Sequence, residues 1–264
     1  MKESMPEYQK FLPAVKNFSA SRYASGAVDR ELEMANSGRI SIEYAPFDHI
    51  QRNAQLVIVG LTPGRTQAAN ALAEMKKCLL SGRTVEDALK NAKQFASFSG
   101  PMRSSLVKML DHIGLPRVYG HSSAADFFAD EARVHFTSAL RYPVYINGKN
   151  YSGSPSPLKT PLLRNMIETY LAEEAAVLRN AAWIPLGIHA QSALSHLCEK
   201  GCLSADRVLI GLPHPSGANA ERISYFLGNK PRSELSKKTD PERLDDRRRR
   251  LLRQVDRLSS MNHV

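Results

Sequence analysis

Leu56-Val57-Ile58-Val59-Gly60-Leu61-Thr62-Pro63-Gly64-Arg65-Thr66 reads as a buried strand, a tight turn and the start of a helix. Four consecutive apolar residues, three of them β-branched, favour extended backbone. Gly60 ends the strand, Pro63 stiffens the turn, and Gly64 lets the backbone approach a ligand. Helical composition follows from Gln67 to Leu80. In a parallel α/β sheet, ligands bind at such strand C-termini.

A second stretch has the same form: Val208-Leu209-Ile210-Gly211-Leu212-Pro213-His214-Pro215-Ser216-Gly217-Ala218-Asn219. It is an apolar strand ended by a rigid turn with one histidine at its tip, and a helix follows from Ala220 to Leu227. Between the two, Val134–Leu140 and Ala182–Gly187 read as further strands, each near a helical segment. The order β-α-β-α-β-α-β predicts an α/β three-layer sandwich: a four-stranded, mainly parallel sheet with helices on both faces. Gly60, Ser138 and His214 all fall at predicted strand C-termini, so one crevice is expected to collect them.

Outward from this frame, residues 1–50 form an N-terminal lead-in. Tyr8, Phe11, Leu12 and Val15 share a helical face, and Leu32 and Met34 suggest a second short helix. Ile42–Ile50 is an extended approach in which Glu43 and Asp48 are two acids within reach of the crevice. Residues 51–228 form the expected α/β domain. Within it, Arg141–Pro157 carries Tyr142, Tyr145 and Tyr151 with Asn147 and Asn150. It reads as a long flexible loop, and loops of that length are usually functional. Residues 229–264 form a basic helical extension with apolar spacing at Leu244, Leu251, Leu252, Val255 and Leu258 and the run Arg247–Arg250.

The formal net charge is +10, and the last 36 residues hold 11 Lys and Arg against 6 Asp and Glu. A basic body with a basic tail suits a polyanion. At 264 residues with 42% apolar content, the chain can bury a sizeable core. No apolar run reaches the roughly 18 residues that a membrane span needs, and Met1–Phe18, with its charges and Pro6 and Pro13, does not read as a signal peptide. Three cysteines, Cys78, Cys198 and Cys202, make no disulfide framework and no zinc-ligand pairs. A cytoplasmic monomer with no metal and no cofactor is the expectation.

These motifs resemble the uracil-DNA glycosylase superfamily. Gly60-Leu61-Thr62-Pro63-Gly64 is similar to its first motif, and His214-Pro215-Ser216 with Asn219 to its second. Phe98-Ser99-Gly100 stands where the superfamily keeps a base-stacking Phe, and Thr137-Ser138 where many members have Thr-Asn. The resemblance spans residues 55 to 228. It implies an enzyme that binds double-stranded DNA, flips a base, and hydrolyses its N-glycosidic bond to leave an abasic site. His214 would then donate to the departing base, Thr62 would orient water, and Gly60, Leu61, Pro63, Gly64, Phe98, Ser138 and Tyr142 would surround the base. Arg65, Arg103, Ser216, Gly217, Asn219 and Arg222 would meet the DNA backbone.

Four departures from the family pattern bear on the substrate. The first motif has Leu61 and Thr62 where an acid or amide usually positions water. Ser138 replaces the amide that reads uracil and cannot offer its paired donor and acceptor. Gly64 replaces the bulky Tyr that guards the 5-position in strict uracil enzymes, and Ala218 replaces the wedge leucine. Together they imply a 5-modified pyrimidine, such as glucosylated hydroxymethylcytosine in phage DNA, and hence a role in antiphage defence. An ordinary uracil repair enzyme and a non-catalytic DNA-binding relative are the alternatives.

Overall fold

The computed structural model describes residues 6–24, 30–96, 101–130 and 132–262. Seven strands occur among them: β1 Glu33–Ser37, β2 Ile40–Glu43, β3 Leu56–Gly60, β4 Val134–Ser138, β5 Val144–Ile146, β6 Lys149–Asn150 and β7 Ala182–Pro185. The helices that matter below are α1 (Glu7–Asn17), α2 (Arg65–Leu80), α3 (Val85–Ala96), α4 (Pro101–His112), α5 (Ile188–Glu199), α6 (Ala220–Phe226) and α7 (Pro241–Asn262). The chain forms two compact units. The first holds residues 1–50, 61–97 and 137–171; the second holds 51–60, 98–136 and 172–264. The chain passes from one unit to the other inside the first motif, between Gly60 and Leu61.

The α/β class is as expected. The parallel sheet has three strands in the order β4-β3-β7, with Leu56 opposite Ala182 and Val59 opposite Pro185. Leu56–Val59 of β3 and Ala182–Pro185 of β7 are buried and apolar on both faces, as strands covered by helices on each side must be. Leu56, Ile58, Ala182 and Ile184 join Leu106, Met109 and Leu110 of α4, Ile223 and Phe226 of α6, and Leu251, Val255 and Leu258 of α7 in one buried cluster.

The fourth expected strand is reduced to a single bridge, Trp183 to Val208, with the Leu209 amide donating to the Trp183 carbonyl (2.8 Å). Its outer edge is occupied by a side chain. Gln254 of α7 donates from Nε2 to the Val208 carbonyl (3.1 Å) and accepts from the Ile210 amide at Oε1 (3.1 Å). One carboxamide thus does for this edge what a neighbouring strand would do, and leaves no unpaired ladder for another chain to use. The apolar face of the basic C-terminal segment is therefore packed within the second unit, of which it is a part. Tyr225 ties α6 to α7 by donating to Asp245 (2.8 Å).

The first unit departs from expectation at two places. Leu32 and Met34 lie in a short 3₁₀ turn and in β1, not in a helix. β1 and β2 are an antiparallel pair, joined at Gly38 (φ 61°). The Tyr-rich stretch is not a flexible loop. β5 pairs with β2 and with β6 in a four-stranded sheet of order β1-β2-β5-β6. Asn147 (φ 49°) and Gly148 (φ 75°) make the two-residue turn between β5 and β6. That pair of left-handed residues matches the twist of a hairpin, and it converts the loop into structure.

Candidate functional site

In the second unit, β3 ends at Gly60, and the chain beyond Leu209 runs through Gly211 into the turn at His214. Pro213 and Pro215 are buried on either side, and the imidazole between them is half-buried. The Ser216 amide donates to His214 Nδ1 (3.3 Å). That bond makes Nδ1 an acceptor and places the ring proton on Nε2. Burial pushes the His214 pKa below its ordinary 6.5, so the side chain at neutral pH is an uncharged Nε2–H donor. A polar chain then runs outward. Asn219 Nδ2 donates to Ser216 Oγ (3.1 Å), and Arg222 donates to Asn219 Oδ1 (2.6 Å) and to the Lys238 carbonyl (3.2 Å). Ser216 Oγ accepts in this chain, which leaves its own proton to offer elsewhere.

His214, Asn219 and Arg222 line one groove of about 470 Å³. Its other walls include Gly187 and Ile188 at the start of α5, and Arg243 and Arg247 of α7. Ile188 is 66% exposed, a large apolar side chain at the rim of a polar groove. Gly217 and Ala218 are exposed beside the turn. Arg103 lies on α4 with its guanidinium 5.7 Å from the Phe128 ring centroid.

In the first unit, the remainder of the first motif is tied to the β5-β6 hairpin. Thr62 Oγ1 donates to the Tyr142 carbonyl (3.1 Å) and accepts from the Val144 amide (3.2 Å). Its proton is therefore committed, and a single lone pair remains for water. The Arg65 amide donates to Asn150 Oδ1 (3.0 Å). The Arg65 guanidinium lies 4.1 Å from the Tyr145 ring centroid and donates to the Gly148 carbonyl (3.2 Å). A Cβ added at Gly64 would meet Asn150 Nδ2 at 3.4 Å. The space left by the missing side chain thus borders an exposed carboxamide. Leu61 is half-buried, Pro63 is buried, and Ser138 is the half-buried last residue of β4.

Tyr142 corrects the expectation of a substrate-facing aromatic. Its ring is fully buried, edge-on to Tyr170 and tilted against Tyr44, because it fills the core under β5. Tyr145 is likewise fully buried. What Tyr142 does offer is its hydroxyl, which donates to Asp48 Oδ1 (2.8 Å); Tyr44 donates to Oδ2 (3.0 Å). Burial raises the Asp48 pKa above its ordinary 3.8, while these two phenols and the charge of Arg141 oppose the rise. Phe98 lies outside the described residues.

Asp48 and Arg247 were noted in the sequence, the first as an acid within reach of the crevice and the second in a basic run, whereas Asn150, Ile188 and Arg243 were not singled out as site residues. Arg243 and Arg247 carried a signal, since a spacing of four puts both on one helix face.

Among the described residues, no group of three or more His, Cys, Asp or Glu is placed to hold a metal ion, and no helix is long and apolar enough to cross a membrane. A model of the Uracil DNA glycosylase superfamily matches residues 47–240. The chain is 36% identical over 230 residues to the uncharacterized protein YoxB of Bacillus subtilis (strain 168), covering 86% of this chain and 90% of that protein. No solved structure matches. With a motif at each end of the matched segment and a neutral histidine donor in the second, the chain belongs to the uracil DNA glycosylase superfamily.

Proposed function

We propose that the protein is a DNA glycosylase that excises a 5-modified pyrimidine from double-stranded DNA and leaves an abasic site. The observation that carries the reading is His214. As the C1′–N1 bond breaks, its electron pair moves into the departing ring and charge gathers on the 2-oxygen. A neutral Nε2–H donor held by two prolines stabilises that charge without reorganising. Water adds at C1′ and must lose a proton. Asp48 is the residue we assign to receive it, since a carboxyl with a raised pKa is better matched to neutral pH than an ordinary one. Thr62, whose hydroxyl is spent on the β5 backbone, orients water at most through its remaining lone pair.

Two features support a modified base over uracil. Ser138 lacks an amide's paired donor and acceptor, and a site that cannot make a partner's hydrogen bonds does not select for it. Gly64 leaves room beside Asn150 Nδ2, a donor suited to the hydroxyls of a 5-hydroxymethyl or glucosyl substituent. A cell carrying such an enzyme would resist phages whose cytosines are glucosylated. The test is a set of duplexes containing uracil, 5-hydroxymethylcytosine or its glucosylated form, each scored for alkali-labile strand breaks. Breaks confined to the modified duplexes are expected. Efficient cutting of uracil alone would replace this reading with base-excision repair, and no breaks in any duplex would leave a DNA-binding relative without catalysis.

A further inference from the structure

The cationic side chains of α7 differ in their partners. Arg248, half-buried against α6, pairs with Asp245 (3.4 Å) and donates to the Phe226 carbonyl (3.4 Å), and Arg249 (3.4 Å) and Arg250 pair with Asp246. These charges are cancelled three or four residues away along the helix. On the groove side, Arg243 and Arg247 make no ion pair among the described residues, and neither do Arg222 and Lys238, which line the same groove. The groove's acid, Asp240, is occupied at the start of the helix, where Oδ1 accepts from the Arg243 amide (3.0 Å). Burial, followed by the charges of Arg243, Arg222 and Arg250, presses the Arg247 guanidinium below its usual pKa range. Arg222, Lys238, Arg243 and Arg247 thus share a groove of about 470 Å³ with His214 and one acid, Asp240, so cations outnumber anions in its lining by four to one.

The groove is built, not incidental. A Cβ on Gly211 would come within 2.9 Å of the Arg247 carbonyl oxygen, so the helix backbone rests directly on the chain leading to His214. Gln254 fixes the same helix two turns further on. The loop carrying Lys238 is held by Glu221, which accepts from Ser236 Oγ (2.7 Å), Thr239 Oγ (2.5 Å) and Lys230 Nζ (2.9 Å). Arg222 is fixed by Asn219 and by the Lys238 carbonyl. An arginine guanidinium presents a planar fork suited to phosphate oxygens.

We infer that α7, which lies beyond the segment matched by the superfamily, completes a phosphate clamp beside His214, in which Arg222, Lys238, Arg243 and Arg247 bind consecutive backbone phosphates of the DNA strand that carries the target nucleotide. This rests on the glycosylase reading for its choice of polyanion. The clamp holds the backbone next to the residue that acts on the base.

The experiment is the salt dependence of binding to a short duplex with a tetrahydrofuran abasic-site analogue, followed by fluorescence anisotropy. Each phosphate neutralised contributes about 0.9 to the slope of log affinity against log salt. The double variant Arg243→Gln/Arg247→Gln keeps much of the side-chain stems. It should flatten the slope by about 2 and weaken binding at physiological salt by about 10-fold or more. The control Arg249→Gln/Arg250→Gln removes the same formal charge from side chains paired with Asp246 and should change the slope by less than about 0.5. Thermal melting read from Trp183 fluorescence checks that each variant is folded, and single Arg→Lys variants, which keep the charge, should retain most of the slope. Equal flattening by both pairs, or none from the groove pair, overturns the clamp even if the protein cuts DNA. A flattened slope in a protein that cuts none of the duplexes keeps the clamp and refutes the glycosylase. Failure of the wild-type protein to bind duplex refutes both.

Discussion

Gly211→Ala is expected to loosen α7 from the segment that leads to His214. Gly211 has φ 140°, a conformation an L side chain adopts only under strain of about 1–3 kcal/mol. The added methyl would also stand 2.9 Å from the Arg247 carbonyl oxygen and 3.4 Å from its carbon. The obstacle is helix backbone, which cannot swing aside as a side-chain tip can, and overpacking of this kind costs about 1–3 kcal/mol more. The sum, about 2–6 kcal/mol, corresponds to a melting temperature lower by about 4–24 °C for a chain of this size. The protein carries a single tryptophan, and Trp183 is fully buried in β7, bridged to Val208. Its fluorescence therefore reports on the sheet edge that α7 closes. A melting temperature within about 1 °C of wild type would show that the helix does not bear on Gly211, and with it the groove wall would lose its support.

His214→Ala should slow single-turnover cleavage about 100-fold or more, the scale for one lost donor to a developing oxyanion, with affinity for the abasic duplex nearly unchanged; a parallel loss of affinity would make the histidine structural. Because burial lowers its pKa below 6.5, the stability contributed by neutral His214 is complete above 6.5 and is lost as pH falls through the folded value, so the neutral donor should survive mild acidification. Asp48 has the opposite sign. Its folded pKa lies above 3.8, so its contribution to stability belongs to the protonated form and fades as pH rises through that value, while a rate that needs the carboxylate climbs over the same interval. Asp48→Asn should cut the rate at least 100-fold and abolish that limb of the pH profile; an intact limb would assign it to another group. Thr62→Val strands the Tyr142 carbonyl and the Val144 amide and should cost about 2 kcal/mol or more in urea unfolding, whereas Thr62→Ser should be near neutral. Equal stabilities would mean that the two bonds contribute nothing.

How much of this was legible in the chain varies by element. The strands at Leu56–Gly60 and Ala182–Pro185 are runs of apolar residues that only a doubly covered sheet accommodates, and the local pattern and the fold agree. His214 was legible because two prolines and a strand end fix its place. The β1-β2 hairpin was not, since Leu32 and Met34 fit a helical face as readily as an extended one over so short a span. Asn147-Gly148 was a hairpin signal outweighed by the abundance of polar residues around it. Tyr142 was misjudged because an amphipathic aromatic serves a core and a pocket equally well, and only its neighbours decide. Gln254 lay beyond reach altogether: nothing local distinguishes a glutamine that faces solvent from one whose amide meets a strand forty-four residues earlier.

That glutamine also bears on what counts as the domain. The superfamily match ends at residue 240, yet the polar edge at Val208 and Ile210 is closed by residue 254. A chain cut at the family boundary would keep every motif residue and expose a bare strand flanked by the apolar seats of Leu251, Val255 and Leu258. Such a fragment would be a template for its own aggregation. The helix is thus a guard on solubility as well as a wall of the groove, and the unit that folds is longer than the segment the superfamily model matches.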